Sequence, residues 1–167
     1  MKKLVLMLML CAPMTMFAQK FGHLDSQALI SSLPEAIKVQ GELEAQGKIF
    51  ENGLKEMQDE LQRKAEAYDK KKSGMSATDQ AKEEQALQDM YQKIQQTAQD
   101  NQQQFNKLQQ EKLGPILAKV RTAIENVAKN GGYTYIMEKA AGQPLYINEA
   151  LSKDVTAEVK VELNKIK

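Results

Sequence analysis

Residues able to carry out chemistry are sparse in this chain. It has one histidine, His23, and one cysteine, Cys11, in 167 residues, and no tryptophan. A histidine-based metal centre or nucleophilic triad would have to draw every other partner from carboxylates. The carboxylates are plentiful, but they alternate with lysine along polar runs. Glu83-Glu84 is such a place, better suited to a wetted helix face than to an acid–base couple. Gly131-Gly132 lacks the Gly-Lys-Ser/Thr that would complete a phosphate loop, and reads as a helix stop. His23 beside a short strand reads as a structural side chain. The pattern implies no catalytic residue, no cofactor, no metal and no enzyme.

The segment MKKLVLMLMLCAPMTMFA has a basic start, an apolar run from Leu4 to Ala12 and a small residue at Ala18. That is the pattern of a signal peptide over residues 1–18, cut after Ala18. Leu10 precedes Cys11, which does not fit a lipidation site, so the only cysteine is expected to be discarded with the signal. Without Lys2 and Lys3 the formal charge moves from +1 to about −1. Such a balance gives no general field for nucleic acid, and no nucleic-acid partner is expected.

Two elements dominate the layout. From Glu35 to Lys72, Leu43, Phe50 and Met57 recur in one heptad position and Leu54, Leu61 and Tyr68 in the other. From about Thr78 to Leu113, Leu87, Tyr91, Ile94, Ala98, Phe105 and Leu108 form a second stripe, with Asn101 as a polar break. Each arm is about 55 Å long at 1.5 Å per residue. A Gly and Ser turn separates them, so the two thin stripes predict an antiparallel helical hairpin. Gly114-Pro115 is expected to break or kink the returning helix. The chain ends supply a small body: strands FGHLD, YTYIMEK and PLYIN, and a last helix begun by Ser152 or Asp154, with Val155, Val159 and Leu163 on its apolar side. A three-stranded sheet of this size is marginal alone, which points to a homo-oligomer.

Two surface features have functional readings. Lys70, Lys71 and Lys72, with Lys82 near, form the densest basic cluster and sit at the hairpin tip. They are a solvated turn or a contact for anionic lipid or an acidic partner. Met57, Met75, Met90 and Tyr91 are scattered apolar side chains on the arms, suited to holding an unfolded chain weakly at many points. The alternative is a structural coiled-coil adaptor of the cell envelope with no unfolded client.

The signal peptide, FGHLD, LPEA ahead of the long helices, and the close YTYIMEKAAGQPLYINEALSKDVTAEVKVEL together resemble the Skp (OmpH) family of periplasmic chaperones, over essentially the whole mature chain. The close is the most specific part. The resemblance implies an α+β fold: a small β-rich oligomerisation body from residues 19–34 and 115–167, and a coiled-coil-like hairpin, or tentacle, over 35–114 with its tip near 72–78. It implies a jellyfish-like homotrimer in the periplasm, whose arms enclose unfolded outer-membrane β-barrel proteins without ATP. On that pattern Phe21, Leu24, Tyr133, Tyr135, Met137, Leu145 and Ile147 build the trimer body. Family members are markedly basic and this chain is nearly neutral, so no lipopolysaccharide site is carried over.

Overall fold

The computed structural model describes residues 19–139, 144 and 146–166. Residues 1–18, the expected signal peptide with Cys11, and Leu145 lie outside these. Along the chain run β1 (Lys20–Leu24), α1 (Ser26–Ser31), α2 (Pro34–Lys71), a single 3-10 turn (Lys72–Gly74), α3 (Ala77–Gly131), β2 (Tyr133–Glu138), β3 (Ser152–Asp154) and α4 (Thr156–Leu163). The chain divides into two compact units, one of β1 with the chain from Thr122 onward and one of Gln27–Arg121.

The first unit is built on a three-stranded sheet in the order β2-β1-β3, parallel throughout. Gly22 and Leu24 of β1 point to one face and Phe21 and His23 to the other. On the first face Gly22 lies 3.2 Å, measured from the Cβ it lacks, from Ile136, Tyr133 and Val155 alike. Leu24, Ala123, Val155, Val159 and Leu163 make the core, and the two valines are wholly shielded from solvent. Burying each is worth about 1.5–3 kcal/mol. The apolar side expected for the last helix is the one that is buried. On the second face His23, only 2% exposed, shares a 2.9 Å hydrogen bond between its Nδ1 and Ser152 Oγ, which ties β1 to β3.

The third strand differs from expectation. Tyr146–Asn148 is not in a strand, and Ser152–Asp154 takes the edge beside β1 instead. Asn148 explains the switch. Its side-chain oxygen accepts the Ala150 N–H at 3.0 Å and its carbonyl accepts the Leu151 and Ser152 N–H groups, so the chain turns there and pairs only afterwards. Asp154 therefore ends a strand rather than starting the helix. Its Oδ1 accepts the Thr156 N–H at 2.9 Å, just ahead of α4. At the other junction Gly132 adopts φ 66°, the left-handed geometry that stops α3 as the paired glycines suggested.

The second unit is an antiparallel helix pair. Pro34 opens α2 in its first turn, where its missing N–H costs nothing. Glu42 meets Lys112 at 2.7 Å and Glu35 meets Lys119 at 3.4 Å, fixing the register. All four side chains are largely wet, so these pairs specify alignment more than they stabilise it. The α2 stripe lies in the crease as its heptads predict, with Leu43 and Tyr68 fully buried and Phe50, Leu54, Met57 and Leu61 half-buried. On α3 the stripe is shifted from expectation. Tyr91, 55% exposed, and Ala98 face outward, while Met90 and Thr97 sit in the crease with Leu87, Ile94, Asn101, Phe105 and Leu108. The spacing of Leu87, Ile94, Asn101 and Leu108 by sevens sets that face, and residues one place beyond it swing out by about 100°.

Gly114-Pro115 does not interrupt α3, which runs helically through both. The ring removes one N–H and frees the carbonyl of Glu111, but Glu111, Gly114 and Pro115 are all exposed, so this stretch of helix is open to hydration.

Candidate client-binding and assembly surfaces

In the sheet unit, the face of β1 bearing Phe21 carries apolar side chains that stay exposed among the described residues. Register pairs Phe21 with Tyr135 and His23 with Met137. The Phe21 and Tyr135 rings are stacked, with centroids 6.3 Å apart and planes at 4°. Tyr135 is 64% exposed and Met137 is also open to solvent. Leu151, 72% exposed, lines a hollow with Phe21, and Tyr146 is 78% exposed.

The residues expected to build an oligomer body thus have different placements. Tyr135 and Met137 are outward. Phe21 and Ile147 are half-buried, and so is Tyr133, whose ring lies 4.2 Å beneath the Lys20 ammonium. Leu24 belongs to the protomer's own core. Tyr146 and Leu151, both exposed, were not singled out in the sequence. Tyr146 was hidden inside a presumed strand, and Leu151 follows a turn that only Asn148 announces.

At the hairpin tip Ser76 caps α3 by accepting the Asp79 N–H at 3.2 Å, and Gln80 Nε2 donates to the carbonyls of Lys72 and Met75. Tyr68 Oη donates to Glu84 at 2.5 Å, and the Lys72 ammonium donates to the same carboxylate at 3.0 Å while lying 5.2 Å from the Tyr68 ring. Hydrogen bonds from Tyr68 and then Lys72 hold Glu84 below the usual carboxylate range. Its carboxylate in turn holds Lys72 above the ordinary lysine value. Desolvation, followed by the hydrogen bond to Glu84, pushes the Tyr68 phenol up. Lys72 is therefore engaged within the tip, whereas Lys70, Lys71 and Lys82 are exposed. Lys70 and Lys71 also suit the negative end of α2.

Of the four apolar arm residues, Met57 and Met90 are half-buried along the crease between α2 and α3, Met75 is half-buried at its tip end, and Tyr91 lies outside it. Among the described residues no cluster of three His, Cys, Asp or Glu side chains could hold a metal, and no helix is long and apolar enough to cross a membrane.

The sequence model of the OmpH-like outer membrane proteins matches residues 20–163, spanning β1 to the end of α4. The chain belongs to the OmpH-like family. Within it, the chain is similar to two proteins named chaperone protein Skp. That of Yersinia enterocolitica is 29% identical over 152 residues, covering 91% of this chain and 90% of the relative. That of Pectobacterium atrosepticum is 28% identical over 142 residues, covering 85% and 84%. The OmpH-like protein of Caulobacter crescentus CB15, known from a crystal structure, superposes with a TM-score of 0.71 over 88% of this chain and 85% of its own, at 19% identity, a likeness of fold. OmpH-like relatives are named for a chaperone and not for a reaction, and the family is not one of enzymes.

Proposed function

We propose that this OmpH-like chain is a periplasmic holding chaperone that keeps unfolded outer-membrane β-barrel proteins from aggregating, without ATP. The observation that supports this is the extent of the match: the family model runs from the first strand through both long helices to the last helix, and relatives named as chaperones align over 91% and 85% of the chain. The working unit is a homotrimer. Residues 19–34 and 115–167 form its body through the uncovered apolar face of Phe21, Tyr135 and Met137, and the hairpin, 35–114, supplies the arms. Unfolded segments lie against the arms through Met57, Met75, Met90 and Tyr91, held by many weak contacts that need no energy input to release. Lys70, Lys71 and Lys82 give the tip a local positive potential for transient contact with anionic lipid.

The test is a dilution assay. A urea-unfolded β-barrel protein is diluted into buffer with the purified mature chain and no nucleotide, and turbidity is followed. The client stays soluble at a few-fold excess of trimer. Aggregation at the rate seen without the protein refutes the holding function and leaves the structural adaptor.

A further inference from the structure

The hairpin has more than a scatter of methionines. Two hollows of about 310 and 320 Å³ open on the crease between α2 and α3. Met90 and Lys64 line both, so the hollows adjoin. Met57 and Ile94 floor one; Met75 and Leu87 floor the other. From Met57 to Lys71 the helix advances about 21 Å, the reach of about six residues of extended chain.

Charge decides what such a groove would take. Lys64 stands where the hollows meet, paired with Glu60 at 3.1 Å. Lys93 lines the Met57 hollow and Lys71 the Met75 hollow, and neither makes an ion pair among the described residues. Glu83 also lines the Met75 hollow, which leaves three ammonium groups against two carboxylates. An extended chain points alternate side chains to opposite sides. A segment of alternating character can therefore place apolar groups on the methionine floor while its carboxylates stay at the wet margin near lysine.

We propose that this crease is the client subsite of each arm, and that it selects extended, unfolded segments in which apolar residues alternate with acidic ones. The inference rests on the holding function above and adds to it a place and a chemical preference. Tyr91 lines neither hollow and lies outside this subsite. Methionine supplies a floor that adapts to side chains of different shape, and the two unpaired lysines supply the discrimination.

The experiment uses the full mature chain and two labelled octapeptides, one alternating Leu with Asp and one alternating Leu with Lys. Binding is read by fluorescence anisotropy, beside the dilution assay. The wild type binds the acidic peptide about tenfold more tightly than the basic one. The double substitution Lys71→Glu, Lys93→Glu reverses that order, and because it gains affinity for the basic peptide, unfolding cannot mimic the result. Met75→Gln, at the tip outside both helices, weakens both peptides. No peptide preference in the wild type, or an unchanged preference in the double variant, overturns the subsite while a successful dilution assay leaves the holding function standing. Failure of the wild type to hold the barrel protein removes that function instead.

Discussion

Gly22 and Gly53 should respond to one substitution with opposite signs. At Gly22, in the central strand, an added methyl group meets carbons of Ile136, Tyr133 and Val155, each at 3.2 Å. Carbon pairs rest at about 3.5–4.0 Å, so three neighbours must retreat together. Two belong to β2 and the third, Val155, is fully buried, so no single shift relieves all three. Overpacking of this kind costs about 1–3 kcal/mol. Alanine recovers about 0.5–1 kcal/mol by restricting the unfolded chain. With three contacts to relieve at once, the cost lies in the upper part of that range, and the balance is a loss of about 1–2.5 kcal/mol for Gly22→Ala. At Gly53, inside α2, nothing lies within 4 Å of the new atom. Only the helix gain of about 0.5–1 kcal/mol remains. Urea unfolding followed by circular dichroism and tyrosine fluorescence, at one fixed protomer concentration, measures both. A Gly22→Ala midpoint at or above the wild type would show that the face of β1 against Val155 is loosely packed, contrary to the fold described.

Three further outcomes follow. Tyr135→Glu, at an exposed position, leaves helix content intact and lowers the molar mass in solution from that of the proposed trimer to that of a monomer; an unchanged mass moves the interface elsewhere. Glu84, Glu42, Glu158 and Glu162 all have pKa values lowered from 4.5 by hydrogen-bonded partners, so their contribution is complete above that pH and is lost as pH falls through the lowered values. Glu84→Gln is accordingly less stable than wild type at neutral pH and equal to it in strong acid, with the difference reduced by salt; a gap that persists in acid refutes the charge-based account. Amide exchange is faster in the middle of the arms, around Gly47 and Gly53, than at the hydrogen-bonded tip from Tyr68 to Glu84 or in the sheet unit; uniform protection refutes it.

The long helices were legible because large side chains at a 3.5 spacing leave few other folds open. What period could not settle was the boundary of the stripe. Met90 and Tyr91 are adjacent and both apolar, and the partner helix accepts only the first. The third strand was illegible for a different reason. Ser-Lys-Asp carries no strand signal, because an edge of three residues pairs through its backbone. Its position is set by the turn at Asn148 and by the hydrogen bond between Ser152 and His23, a contact across 129 positions that no local pattern reports. At Pro115 the expected break is absent: the helix continues through the ring at an exposed position. Of the surfaces, the tip lysines were visible as a cluster, but the loss of Lys72 to Glu84 depended on a pairing between helices.

The order β2-β1-β3 has a bearing on biogenesis. The strand made first sits in the middle, and both its neighbours are made last; Ser26 and the Glu138 carboxylate that receives its N–H are 112 positions apart. A chain delivered from its N-terminus can zip the hairpin from the tip as it arrives, since those contacts are local. The sheet has to wait for nearly the final residue. A product truncated before Asp154 would thus be left with a helical stem and an open-edged ribbon, a damaged end that a protease could recognise.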